Sequence, residues 1–289
     1  MSPIDRRLFT AIVVTGLVGG GVAAAYLTVL DHVAELLGPD RWSRSAHVLV
    51  LVGVGAAVAG LTRWLGRTDD VELLVDDIHV SGGVDSLRHL RSLIPVSLLC
   101  VGAGGALGPE APLVTTTGSL GSWLGERARL DVGDLRIVSI AGMAAGFTVL
   151  FGAPLGSAVF ALEILHRRGL EYYEALLPSA MGALCGFAVS VGITGVGLEP
   201  LFPFPTHGAI RLGDLGWGVA AGVVGAAVAS AFTYLCVGLR RLTRVIPSSL
   251  RPVSGGLLLG GLAIVTPYAL TNGEAQICLL YTSPSPRDS

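Results

Sequence analysis

One acidic residue lies deep in apolar sequence. Glu110 separates two uncharged runs, Ser92–Gly108 and Ala111–Gly125. An ionisable group at such depth is costly and is by default a functional hypothesis. Its neighbours define the chemistry. Gly108 permits an unusual backbone turn, and Pro109 suits the first position of a helix. A new helix is therefore expected at about Pro109 or Glu110. Its first backbone N–H groups lack intrahelical partners, and with the helix dipole they form an anion site. The Glu110 carboxylate is itself an anion beside that site. It can hold the free N–H groups until protonation releases it and a passing anion takes its place. The simpler role is an ordinary capping carboxylate, worth about 0.3–1 kcal/mol.

The elements that position this residue follow from composition. Of 289 residues, 52% are hydrophobic and 14% charged, and mean hydropathy is +0.69. Soluble domains carry about 25% charge, and disorder needs low hydrophobicity with high charge, so both classes are excluded. The net charge is −2 and every basic residue is arginine, with no clustered basic face. No nucleic-acid partner is expected, and no cofactor motif is present. Cys100, Cys185 and Cys236 sit inside apolar runs and match no zinc spacing; they read as buried filler. The 41 glycines suit close helix packing in lipid.

The other uncharged runs are Leu8–Leu30, Ser45–Thr62, Ile137–Leu162, Leu176–Leu198, Leu215–Leu239 and Pro252–Gly273. A bilayer crossing needs about 20 apolar residues, and most of these runs reach that length. The first follows Arg6 and Arg7 but exceeds a signal-peptide core, so it reads as a retained helix. Breaks at Gly108-Pro109-Glu110-Ala111-Pro112 and at Gly152-Ala153-Pro154 predict interrupted helices. Interrupted helices in pairs mark transport sites. If Ser92–Gly125 crosses once, in two pieces, 12 arginines fall on the side of Arg6 and 6 opposite, among them Arg127, Arg129 and Arg136. That bias predicts a cytoplasmic N-terminus in a multi-pass membrane protein. Asp69–His89 reads as a solvated loop, or a short surface helix on Leu73, Leu74 and Ile78, in preference to a metal site. Glu199–Thr206 reads as an external loop. His47 is the one histidine in a long apolar run, near its end. It gives Glu110 no catalytic partner at matching depth, so no enzyme is expected.

Two blocks carry a family resemblance. Leu107-Gly-Pro-Glu-Ala-Pro112, followed by Thr117-Gly-Ser-Leu-Gly121, resembles the Gly-Arg/Lys-Glu-Gly-Pro motif of the CLC chloride channel and transporter family. Ala141–Gly156, followed by Phe160-Ala-Leu-Glu163, is similar to that family's small-residue helix, Pro turn and glutamate-ended helix. The resemblance implies an all-α polytopic membrane protein with inverted-repeat architecture and broken, re-entrant helices. It implies passive or proton-coupled transport of chloride or another small anion across the lipid bilayer by a homodimer. Glu110 would gate the path. Gly108, Pro109, Glu110, Ala111 and Pro112 would form the anion site, with the N–H groups of Glu110 and Ala111 facing the anion. Glu163 would be a cytoplasmic-side carboxylate near Arg167 and Arg168, structural in preference to functional.

The departures are specific. Pro109 replaces a basic residue and removes one N–H donor, which alters or weakens the anion site. Ile164 stands where many exchangers carry a second glutamate, as in the channel branch. Ser81-Gly82-Gly83 is a poor match to the family's serine-bearing loop, so no central serine ligand is assigned, nor is the family's late tyrosine found. The alternatives are a secondary transporter for another anion and a non-functional fragment. The resemblance covers residues 1–277 as the first repeat and the start of a second, C-terminally truncated. Residues 278–289 resemble one reading frame of a transposase sequencing adapter and are expected to be a non-native tail.

Overall fold

The computed structural model describes residues 6–66, 71–83, 87–165, 173–195 and 212–273. Among the described residues every regular element is helical: α1 (Arg6–Leu37), α2 (Arg44–Leu65), α3 (Val71–Ser81), α4 (Leu90–Gly102), α5 (Glu110–Arg127), α6 (Val132–Phe151), α7 (Pro154–Ile164), α8 (Leu176–Thr194), α9 (Leu212–Leu242) and α10 (Arg251–Val265). Five of these, α1, α2, α6, α8 and α9, are long and apolar enough to cross a bilayer. The expected loop at Glu199–Thr206, Arg167, Arg168 and the tail 278–289 lie outside the described residues.

Small residues decide how close the helices come. Gly16 and Gly20 on α1 face Gly182 and Gly186 on α8, where a Cβ on Gly20 would lie 2.7 Å from the Gly186 Cα. Gly186 in turn rests on Ala145 of α6, its Cβ position 3.0 Å from that Cα. Such small-xxx-small pairs let backbones approach and replace the hydrophobic drive that lipid removes. α6 sits at the centre. Val138, Ile140, Met143 and Phe147 are almost fully buried, and the helix is apolar all round, as a core helix must be. Asp131 caps its start by accepting from the Asp134 N–H at 2.8 Å. Gly152, at φ +63, ends it, and its N–H bonds the Thr148 carbonyl at 2.8 Å. Pro154 then opens α7, as the Gly-Ala-Pro break predicts.

The second break has a different outcome from the expected single crossing. α4 runs beside α1 in the same direction: Tyr26 O–H meets Ser97 Oγ at 2.9 Å, and Gly102 packs on Val33 and Ala34. α5 runs back the other way. Leu113 clusters with Ala23, Tyr26 and Leu30, Gly121 packs on Thr15, and Leu124 and Ala128 share a cavity of about 560 Å³ with Arg6 and Arg7. The two short helices form a hairpin that enters and leaves on one side. Arg127, Arg129 and Arg136 therefore belong with Arg6 and Arg7, which strengthens the arginine asymmetry. Two apolar pieces of 17 and 15 residues look like one interrupted crossing only when their lengths are added.

α3 corrects another expectation. A helix does form there, but it is not a surface element. Leu74 and Ile78 are 3% and 0% exposed and belong to the same cluster as Val114, Phe147 and Leu162. α9 is exposed along its described length, with the all-round apolar surface of a helix made for a non-aqueous setting.

Candidate functional site

The turn joining α4 to α5 delivers Glu110 to the head of a helix. α4 stops at Gly102, and Gly104 turns the chain at φ +89. Gly104 and Gly105 tie their N–H groups to the Val101 and Cys100 carbonyls, each at 2.9 Å. Pro109, buried at φ −80 and ψ 0, is the N-cap, and Glu110 is the first helical residue. The helix starts where the Gly-Pro-Glu run predicts.

Few donors remain at this helix start. Pro109 and Pro112 have no N–H, and the Leu113 N–H is used by the Pro109 carbonyl at 3.1 Å. Glu110 and Ala111 supply the remaining N–H groups, and neither donates to a backbone carbonyl among the described residues. The helix dipole adds roughly half a positive charge at this end. Ala111 is exposed and Pro112 buried. The half-exposed Glu110 bends back toward the turn, so that its carboxylate occupies the place of a side chain at Gly108. The arrangement sets one carboxylate at an electropositive helix end.

Behind it, α5 carries polar residues inside the protein. Thr115, Thr116, Thr117, Ser119 and Ser122 are buried. They satisfy themselves locally: Thr116 Oγ1 donates to the Pro112 carbonyl at 2.7 Å and Ser119 Oγ to that of Thr115 at 2.6 Å. Ser122 Oγ also meets Ser139 Oγ at 2.7 Å across to α6. His89 Nε2 lies 3.2 Å from Ser119 Oγ, joining the start of α4 to the middle of α5. In the sequence these residues appear only within the uncharged run Ala111–Gly125 and, for Thr117–Gly121, within the motif that resembles the family; Ser and Thr in a helix interior, which bond back to carbonyls one turn earlier, were the available signal.

The structure does not gather all the candidate residues. Gly108, Pro109, Glu110, Ala111 and Pro112 are together by sequence. Ser81-Gly82-Gly83 lies at the other end of α5: Gly82 packs on Val132 and Gly83 on Ser122. Glu163 is exposed in the last turn of α7. α7 begins beside the end of α6, the end nearest Leu113, and runs away from it for about 14 Å before Glu163. Glu163 thus stands at the far end of α7, and Glu110 at the start of α5.

Comparison with known proteins is consistent along the whole chain. A chloride/fluoride channel protein of Pseudomonas syringae pv. tomato is 30% identical over 250 residues, covering 84% of this chain and 53% of that protein. A putative ClcB-like chloride channel protein of Ralstonia nicotianae is 29% identical, over 92% of this chain and 66% of its own length. The chain thus spans half to two thirds of these relatives. The crystal structure of a slow cyanobacterial Cl⁻/H⁺ antiporter superposes with a TM-score of 0.79 at 20% identity, over 98% of this chain and 69% of that one. A CLC-type fluoride/proton antiporter gives 0.79 at 21% identity, over 96% and 70%. The architecture is therefore the multi-pass, broken-helix CLC fold, matched over 69% and 70% of those two structures. Residues 71–286 match the voltage gated chloride channel family model, and the chain belongs to that family.

Proposed function

We propose that this protein moves small inorganic anions, chloride or fluoride, across a membrane, and that Glu110 gates their path. The observation that carries this is the position of Glu110: a half-exposed carboxylate at the first turn of α5, beside the open N–H groups of Glu110 and Ala111. Gly108, Pro109, Ala111 and Pro112 shape the anion site, the glycine by leaving room and the prolines by limiting the donors. With Glu110 ionised, its carboxylate competes for the helix end. Once protonated it loses that attraction, and an anion replaces it. Falling pH outside therefore opens the path.

The relatives named above include channels and antiporters, and both passive and proton-coupled flow fit this gate. Ile164 favours passive flow, because it supplies no second carboxylate after Glu163. Glu163 serves as a carboxylate at the cytoplasmic end of α7. The arginine-rich end of α1 and α5 faces the cytoplasm of a bacterial cell, and the working unit is a homodimer with one path per subunit.

Radiolabelled chloride and fluoride-electrode efflux from liposomes test the gate. Wild-type flux rises as pH falls, whereas Glu110→Gln and Glu110→Ala give high flux at every pH. A Glu110→Gln protein whose flux stays pH-gated overturns the gating role.

A further inference from the structure

The buried residues of α2 are His47, Leu51, Gly55 and Val58. Their spacing of four, four and three traces one helix face. The first position of this apolar stripe is a histidine, 2% exposed. Among the described residues neither its Nδ1 nor its Nε2 has a hydrogen-bond partner, and the same holds for the buried Oγ1 of Thr271. Both residues flank the turn between α4 and α5. The Thr271 N–H donates to the Gly104 carbonyl at 2.9 Å. The bare side of Gly104 faces the imidazole, where a Cβ would stand 3.7 Å from Nε2 and 3.1 Å from the Pro39 Cδ. The Ala103 backbone lies beside the ring, outside hydrogen-bond geometry. Leu51, Ala103, Ala263 and Leu270 form an apolar floor.

Orphaned polar atoms of this kind are rare, because each forfeits the hydrogen bonds it had in water. A neutral imidazole presents one donor and one acceptor, and a threonine hydroxyl presents both. Thr271 is also held at φ +67, a conformation that non-glycine residues seldom adopt. We propose that His47, Thr271 and the bare face of Gly104 form a binding site for one water molecule. The water takes up the hydrogen bonds left open on His47 and Thr271, a usual role for buried water. It joins three parts of the chain: α2, the turn that delivers Glu110, and the segment after α10. The site does not depend on any assignment of transport activity.

X-ray radiolytic labelling of the full chain in nanodiscs, read by mass spectrometry, tests this directly. Hydroxyl radicals formed from bulk water do not reach a side chain that is 2% exposed, whereas a bound water yields radicals in place. His47 is expected to oxidise several-fold faster than Met143, an intrinsically reactive side chain that is 0% exposed in a dry core. A His47 rate at or below that of Met143 overturns the proposal. Thermal stability of His47→Leu, Thr271→Val and the double variant gives a second readout. Each single variant is expected to lower Tm, and the double variant to fall no further than the worse single, because both lose the same water. Additive losses, or an unchanged Tm in His47→Leu, overturn it.

Discussion

The Glu110 carboxylate lies against the bare Cα of Gly108, two residues earlier, and fills the volume a side chain there would need. A glutamate in the first turn can fold back in this way only over glycine. The relationship makes residue 108 a lever on the proposed gate. Gly108→Ala is expected to displace the carboxylate and raise chloride efflux at neutral pH toward the Glu110→Ala level, with little added by combining the two. Efflux of Gly108→Ala equal to wild type across the pH range would show that the fold-back has no part in closure.

Pro109 removes one donor from the proposed anion site. Pro109→Ala keeps the N-cap backbone, since φ −80 and ψ 0 suit alanine, and returns an N–H to the helix end. A hydrogen bond to a charged partner is worth about 1.5 kcal/mol or more, which is about tenfold in affinity. Chloride binding by isothermal titration calorimetry should tighten by about that factor. An unchanged affinity would mean that the N–H at 109 points away from the anion.

How much of this was legible in the sequence depends on what kind of signal each feature leaves. The start of α5 and the Gly152-Ala153-Pro154 break are written in residues with fixed backbone preferences, and both appear where expected. The resemblance to the family was also carried by short motifs, and it holds. The hairpin of α4 and α5 was not legible, because its direction is set by tertiary partners such as Tyr26 with Ser97 and Thr15 with Gly121, which no local count contains. α3 was mistaken for a surface element because its acidic residues dominate the composition, while Leu74 and Ile78 alone decide its burial. His47 drew notice only as a histidine near the end of an apolar run, although the stripe it shares with Leu51, Gly55 and Val58 was there to be read.

Close packing of α5 on α6 should be intolerant of bulk. A Cβ on Gly142 would strike the Thr117 carbonyl, a backbone atom that cannot step aside. Overpacking typically costs about 1–3 kcal/mol, so Gly142→Val should lower Tm clearly in a fluorescence-detected size-exclusion assay. By contrast, Gly225→Val on α9, where no described residue lies within 4 Å, should leave Tm unchanged. Equal tolerance at both positions would contradict the packing described for the core.

Phe147 holds α7 against α6. Its ring stacks on Phe151 at 5.7 Å between centroids and tilts against Phe160 at 4.8 Å. Phe147→Ala should cost about 3–5 kcal/mol, and Phe147→Leu much less, because most of the buried volume is kept. If alanine and leucine destabilise equally, aromatic geometry outweighs volume at this site.

The α4–α5 hairpin also constrains how the protein is made. At 13 residues, α4 extends about 20 Å, against a bilayer core of about 30 Å. α5 buries five hydroxyl-bearing side chains that lipid would not welcome. α4 is too short and α5 too polar for an independent crossing, so the pair is expected to settle only when α1 and α6 offer a cradle. The residues that carry the proposed gate are synthesised before α6 and, on this argument, are seated only after it. A nascent chain stalled near Leu165, with α6 still inside the ribosome, should leave Cys100 open to a water-soluble thiol reagent, and one stalled at or beyond Leu198, with α6 released, should protect it.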